Sequence, residues 1–173
     1  MGLSESSVSP KTVLLRYLGQ LRLLLDTLER QGPQDILERR LTPEMFPLRT
    51  QVRICANFAL RIWCPLTGGE PVSFDNDDNT FAGLRRQLQQ TQHYLEATDD
   101  DGLNWDKPVT ERAGFGEFTL PMVDFTYQYA LPNFYFHLSM VYAIGRASGV
   151  NLSKGHYDGF HSYPPGFSFE NPS

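Results

Sequence analysis

Apolar residues recur at every third or fourth position along three stretches of the chain, which is the spacing of helices that bury one face. The first helix is predicted over residues 10–31, where Ser9 is a favourable N-cap. The second is predicted over residues 48–64 and stops before Pro65, because proline lacks the N–H that a helix needs. The third is predicted over residues 79–95, ahead of an acidic run.

The helical spacing breaks after the third helix. Residues 109–112 and 117–120 flank a short turn with two glycines, which predicts a small β-hairpin. A fourth helix is predicted over residues 121–148. Pro132 falls inside this helix, so we expect a kink there and a freed carbonyl at Gln128. The pattern as a whole predicts an all-α fold with a hairpin before the last helix.

The length of 173 residues indicates a single domain over residues 1–173. Residues 151–173 are rich in glycine, proline and aromatic residues without a period, so they are predicted to form an extended surface tail. Cys55 and Cys64 lie nine residues apart on one predicted helix, about 13 Å along its axis, which is too far for a disulfide. We expect two packed thiols.

Charge and hydropathy limit the partners of the chain. The net charge is −5 and basic residues form no cluster, so no nucleic-acid partner is expected. No apolar stretch approaches the ~20 residues that span a bilayer, so no membrane partner is expected. Residues 1–7 lack the features of a signal peptide, and residues 75–78 are expected to be a solvated acidic loop. These observations predict a cytoplasmic protein.

The strongest candidate for chemistry is the pair Asn133 and His137, four residues apart in an apolar and aromatic segment. Residues i and i+4 share one helix face, and this face carries apolar residues on both sides, so the pair should point inward. We expect a catalytic group of His137, Asn133 and Tyr129. The residues expected to bind a substrate beside them are Tyr17, Gln51, Asn57, Met140 and Tyr142.

Residues 41–48, the run at 130–137 that includes Leu-Pro-Asn-Phe-Tyr-Phe-His, and residues 142–144 resemble a domain-of-unknown-function branch of the DinB/YfiT-like superfamily. The resemblance covers roughly residues 8–159. It implies a four-helix bundle of up-down-down-up topology with a long crossover. In better-known members, one histidine on the second helix and two on the fourth bind a divalent metal, and some members carry out thiol-dependent transfers or isomerisations on small molecules.

The sequence departs from that metal pattern. The second predicted helix holds Gln51 and Asn57 but no histidine, and the fourth holds only His137, with Asn133 one turn earlier. Since a neutral amide is a poor ligand for a transition metal, no metal and no other cofactor is expected. A less favoured alternative folds the tail over the bundle, where His156 or His161 with Asp158 would join His137. His93, on the third helix, is expected to be exposed.

Two functions remain open. In the first, the protein is a cofactor-free accessory enzyme that binds a small apolar or aromatic molecule. His137 is then a general acid or base, oriented by Asn133, for isomerisation, dehydration or cyclisation. In the second, Asn133 and His137 form a buried polar lock, and the protein has a binding or structural role without catalysis. Leu60 and Trp63, expected to be exposed, would also allow a homodimer.

Overall fold

The computed structural model describes residues 9–164, 167 and 170. The segment considered for a signal peptide, residues 1–7, and part of the predicted tail lie outside these residues. The described chain is mostly helical, with one small antiparallel hairpin. Its elements are α1 (Pro10–Gln31), a 3₁₀ turn (Ile36–Glu38), α2 (Leu48–Leu66), α3 (Phe81–Ala97), β1 (Pro108–Ala113), β2 (Gly116–Pro121), α4 (Met122–Asp124), a π-helical turn (Phe125–Ala130), α5 (Leu131–Ala147) and α6 (Lys154–Asp158).

The three long helices predicted from the apolar spacing are confirmed. The side chain of Ser9 accepts a hydrogen bond from the backbone N–H of Thr12 at the start of α1, and Thr80 caps α3 in the same way. Helix α2 continues one residue past Pro65. Pro65 lacks a backbone N–H and so cannot make one helical hydrogen bond. This loss is tolerated because the helix ends at the next residue.

The core lies between the long helices. Helix α2 packs against α5 and α3, and α1 packs against α3. One stripe of α1 is fully buried and supplies much of the apolar interior, as its leucine spacing predicts. Its members are Leu14, Leu18, Leu21, Leu24, Leu25 and Leu28. Both cysteines are free and buried, as expected, and burial raises the pKa of the Cys55 thiol.

The fourth predicted helix is interrupted. Instead of one kinked α-helix over residues 121–148, the chain forms α4, the π turn and α5 in succession. The backbone N–H of Leu131 bonds to the carbonyl of Thr126, five residues back, so the helical register changes just before Pro132. Asn133 Nδ2 donates to the carbonyl of Tyr129 over 2.8 Å, so the Asn133 side chain supplies a hydrogen-bond donor next to Pro132, which has none.

The hairpin is confirmed at the predicted place, with Val109 opposite Leu120 and Glu111 opposite Phe118. Its two-residue turn uses Gly114 at a φ of +60°, a backbone conformation that favours glycine. The extended-tail prediction is wrong for residues 154–158. They form α6, which packs on α1, because Ser153 caps the helix and Gly159 ends it in the left-handed conformation.

Trp63 and Leu60 are both fully buried rather than exposed. Both belong to the face of α2 that the other helices cover, so they offer no exposed apolar surface for the predicted homodimer. No helix in the described part of the chain is both long and apolar enough to cross a membrane.

Candidate functional site

His137 and Gln51 form the polar centre of the interface between α2 and α5. The distance from His137 Nδ1 to Gln51 Oε1 is 2.6 Å, and the His137 side chain is only 8% exposed. Gln51 is itself buried, and its Nε2 donates to the carbonyl of Phe46 over 3.3 Å. Because Gln51 uses its N–H group on that carbonyl, its oxygen faces the imidazole.

This arrangement determines the tautomer of His137. The amide oxygen of Gln51 can only accept a hydrogen bond, so Nδ1 of His137 carries the proton and Nε2 holds a lone pair. Within the described residues, the buried side-chain nitrogen and oxygen atoms without a partner are Trp63 Nε1 and Thr126 Oγ1. Nε2 of His137 is not among them, so it reaches solvent. The site therefore presents one oriented hydrogen-bond acceptor.

The protonation state of His137 follows from its burial. Burial disfavours the charged imidazolium and lowers the pKa of His137 from 6.5 to about 4. At neutral pH the ring is neutral and has no second proton to donate. In the free protein, His137 can therefore accept a proton or a hydrogen bond at Nε2.

Aromatic rings form the walls of the site. The ring of His137 stacks on Phe58, with 5.8 Å between centroids and 19° between planes. Phe136, which is 49% exposed, lies edge-on to His137 on the outer side. Phe58 also contacts the ring of Tyr129, and the Arg61 guanidinium lies 4.9 Å from the centroid of the Phe58 ring. The Phe58 ring thus contacts an imidazole, a phenol and a cation.

The hairpin and the π turn complete this surface. Phe118 of β2 packs against Tyr129 with ring centroids 4.8 Å apart, and Glu111 of β1 pairs with Arg61 at 2.8 Å. Burial raises the pKa of Tyr129 above its ordinary value of 10, so its hydroxyl stays protonated at neutral pH. Tyr129 and His137 share Phe58 but have no direct contact recorded between their side chains in the described structure.

Asn133 does not orient His137. Its amide donates to the Tyr129 carbonyl, whereas the imidazole bonds to Gln51. The predicted mutual hydrogen bond between Asn133 and His137 is therefore wrong, because each finds a nearer partner. Asn133 instead steadies the backbone that carries Tyr129. Met140 lies one turn after His137 on the same face of α5 and is half-buried.

Tyr17 and Tyr142 lie away from His137. Tyr142 comes five residues after His137, which turns it about 140° around the helix. Tyr17 packs against Tyr135 and Tyr157, and Tyr142 also contacts Tyr157. These four tyrosines join α1, α5 and α6 on the other side of α5, so the structure does not bring Tyr17 and Tyr142 together with His137 as expected.

Asn57 also lies elsewhere, on the side of α2 that faces α3. Its side-chain oxygen accepts hydrogen bonds from Ser73 and Gln87. The same cluster contains Arg53, a buried arginine that the sequence analysis did not single out. Arg53 bonds to Asp75 in the acidic stretch, which is therefore a docked loop rather than a freely solvated one.

The other histidines do not join His137. His93 is exposed, as expected. His156 bonds to Ser153, and His161 pairs with Asp158, within the C-terminal segment that packs on α1. The three-histidine metal site of better-known relatives does not fit the residues present, since α2 contains no histidine and Asn133 stands one turn before His137. Among the described residues, no group of three or more His, Cys, Asp or Glu side chains could hold a metal ion.

The sequence analysis missed Phe58, Arg61 and Glu111. Phe58 lies seven residues after Gln51 and therefore on the same face of α2, so helical spacing could have identified it. Arg61 and Glu111 meet across the chain between a helix and a strand. No local pattern indicates such a contact.

The chain matches known proteins over most of its length. The model of a family described as a domain of unknown function, DUF1993, matches residues 10–158. The crystal structure of a DinB family member from Shewanella denitrificans superposes with a TM-score of 0.75 and 26% identity, covering 89% of this chain and 92% of that one. No curated protein sequence matches the chain.

Proposed function

Because this chain belongs to the DUF1993 family and has the fold of a DinB family member, we propose that it is a four-helix bundle with up-down-down-up topology that binds a small apolar or aromatic molecule at His137. In this proposal the protein acts in the cytoplasm, without a metal or another cofactor. The molecule lies against Phe58 and Phe136.

One observation carries the proposal: Nε2 of His137 is an oriented acceptor that reaches solvent on an aromatic surface. Gln51 holds the tautomer, and Phe58 holds the ring plane. A ligand with one N–H or O–H group on an apolar ring would donate to Nε2 and stack on the phenylalanine side chains. Neutral His137 gives such a ligand no charge to neutralise, which favours uncharged molecules.

The proposed chemistry is proton transfer in an isomerisation, dehydration or cyclisation. Nε2 of His137 takes a proton from the substrate, and the Tyr129 hydroxyl, whose raised pKa keeps it protonated and whose ring contacts Phe58, donates one. Exchange with water then removes the proton from His137 and returns one to Tyr129. A base with a pKa of about 4 is weak, so the substrate must carry an activated proton or must raise that pKa by binding. Asn133 is a positioning residue that holds the backbone of Tyr129.

Phenol and its methyl ether anisole test the acceptor role directly, since they differ in one donor. We expect phenol to shift the side-chain ¹⁵N resonances of His137 in NMR spectra, and anisole to leave them unchanged. In wild-type protein, phenol should also shift the backbone amide resonances of residues 133–140. His137→Phe should abolish this amide response, and His93→Phe, at an exposed histidine on α3, should keep it. Equal responses to phenol and anisole, or a full response in His137→Phe, would overturn the proposal.

The buried Gln51–His137 hydrogen bond favours a second candidate function, a non-catalytic bundle in which this pair is a polar lock. A lock predicts that His137→Phe lowers the free energy of unfolding and that phenol does not bind the wild-type protein. A pocket predicts phenol binding to the wild type, whatever the stability of the variant. The two candidates are therefore separated by the wild-type protein alone.

A further inference from the structure

The C-terminal segment 153–163 is held closely against α1. Arg16 donates to the carbonyl of Asp158 over 2.8 Å, and Gln20 donates to the carbonyl of Gly155 over 3.2 Å. The carbonyl oxygen of His161 lies only 2.1 Å from the position that a Cβ on Gly155 would take. Only glycine allows this approach, so the backbone at His161 lies directly against α6 at Gly155.

An open groove of about 460 Å³ runs between α1 and this segment. Both C-terminal histidines, His156 and His161, line it, together with Leu23 and Thr27 of α1. The two charged side chains that line the groove, Asp26 and Arg30, have opposite signs. The groove therefore does not select a charged ligand by its own charge.

Asp158 orients His161. The Asp158 side chain is nearly buried, and one of its oxygens accepts hydrogen bonds from the backbone N–H groups of Phe160 and His161. Its other oxygen faces Nδ1 of His161. A carboxylate can only accept, so Nδ1 carries a proton, and Nε2 of neutral His161 is an acceptor.

His156 has the opposite tautomer. Its Nδ1 accepts a hydrogen bond from the backbone N–H of Ser153 over 3.0 Å as part of the cap of α6. Nδ1 therefore holds a lone pair, and Nε2 of neutral His156 carries the proton. One groove is thus lined by an imidazole with a free acceptor and an imidazole with a free donor.

We propose that this groove is a second ligand site, which takes a small neutral molecule with an N–H group and a carbonyl side by side, such as a lactam or another amide. The ligand N–H donates to Nε2 of His161, and its carbonyl accepts from Nε2–H of His156. The site is separate from His137, which lies between α2 and α5, and does not depend on the function proposed there.

2-Pyrrolidone is the probe, and N-methyl-2-pyrrolidone, which lacks the N–H, is its matched control. We expect 2-pyrrolidone to shift the ring ¹⁵N resonances of both His156 and His161, and the N-methyl compound to shift them about tenfold less at equal concentration, the loss of one hydrogen bond worth about 1.4 kcal/mol. His93→Ala should respond as the wild type does. Equal shifts with the two compounds would overturn the proposal.

Asp158→Asn tests the orientation. Asparagine keeps the oxygen that accepts from the backbone, but its NH₂ group would face His161 and donate to Nδ1, so the proton would move to Nε2. We expect the ¹⁵N shifts of His161 to report this change of tautomer and the binding of 2-pyrrolidone to weaken about tenfold, the effect of one lost hydrogen bond.

A second variant covers the case in which Asp158→Asn loosens the segment, as backbone amide shifts of residues 153–160 would reveal. His161→Phe removes the acceptor without touching the Asp158 bonds to the backbone, and it should weaken the response of His156 to 2-pyrrolidone about tenfold. Wild-type binding in either variant would overturn the proposal.

Discussion

At the scale of single residues, the Gln51–His137 hydrogen bond connects α2 to α5 through two buried polar groups. A buried polar group that loses its partner costs about 1–3 kcal/mol, whereas replacing both partners by apolar groups costs much less. We therefore expect His137→Phe and Gln51→Leu to lower the free energy of unfolding individually by about 1–3 kcal/mol.

The double variant Gln51→Leu/His137→Phe should lose less stability than the sum of the two single variants. Urea unfolding of the four proteins in this double-mutant cycle measures the coupling. Strict additivity would show that the two side chains do not interact as described.

His137 also makes stability depend on pH. Its pKa is about 4 in the folded protein and near 6.5 when the ring is free in the unfolded chain. Between these values the unfolded state binds more protons, so the free energy of unfolding falls as the pH drops from about 7 to about 4. The expected loss is about 3 kcal/mol.

The comparison with His137→Phe isolates this effect, since carboxylates such as Asp158 and Glu38, whose pKa values are lowered, contribute in both proteins. Urea unfolding at several pH values should show a flatter profile for the variant above pH 4. Parallel profiles would contradict the assigned pKa.

The sequence identified His137 but not its partner. Helical spacing correctly placed the imidazole on the inward face of the last helix, and it also identified Gln51 as a notable polar residue on the second helix. The contact between them depends on how two helices rotate against each other, which is decided by the whole interior. Tyr17, Asn57 and Tyr142 were misplaced for the same reason.

At the scale of elements, Arg53 holds the connection between α2 and α3. Its guanidinium bonds to the Asp75 carboxylate at 2.5 Å and the Asp78 carbonyl at 2.7 Å, and to Gln87 on α3 at 3.1 Å. Arg53→Met keeps the aliphatic part of the side chain and removes these three bonds and a fourth, to the Asn79 side chain at 3.5 Å. We expect a loss of about 2–4 kcal/mol, because the carbonyl and the buried amide are left without partners.

Hydrogen exchange locates the effect of Arg53→Met. Amides of residues 73–80 should exchange faster than in the wild type, and those of α1 should change less. Arg86→Met is the matched control, since Arg86 pairs with Asp78 at the exposed surface. Equal effects of the two variants would contradict a specific role for Arg53.

The long elements follow from local pattern and the short ones do not. Apolar spacing, caps and prolines placed α1, α2, α3 and the hairpin, since these signals lie within each element. The π turn and α6 depend on contacts with other parts of the chain: α6 is only five residues long and relies on α1 for support. An isolated helix of that length is not stable in water.

At the scale of the whole molecule, the buried face of α2 bears on assembly. If Trp63 belonged to a dimer surface, its truncation would separate two folded chains. Because it is fully buried, we expect Trp63→Ala to cost about 3–5 kcal/mol of stability and to leave the molar mass of the folded protein unchanged. Light scattering and thermal unfolding together decide this. A stable variant with half the mass would restore the dimer proposal.

The absence of a metal remains a prediction for the whole molecule. Nε2 of His137 could give a cation one good ligand, but the oxygen of Gln51 is used on Nδ1 of the same imidazole, so no closed set of ligands forms there. Protein purified without a histidine tag should contain far less than one zinc, nickel or iron per chain by elemental analysis. About one metal per chain that is lost in His137→Ala would show that another side chain completes a site.

The π turn has a consequence for the angular relation between the hairpin and His137. A π turn holds one more residue between its hydrogen-bonded groups than an α-helix does, and one residue corresponds to a rotation of about 100° about the helix axis. With that rotation in place, Phe118 of the hairpin contacts Tyr129 and Glu111 pairs with Arg61. Deleting the exposed Gln128 should leave the helix continuous but rotate the hairpin about 100° away from Phe58. The π turn thus sets the angle between the hairpin and the part of the site that contains His137.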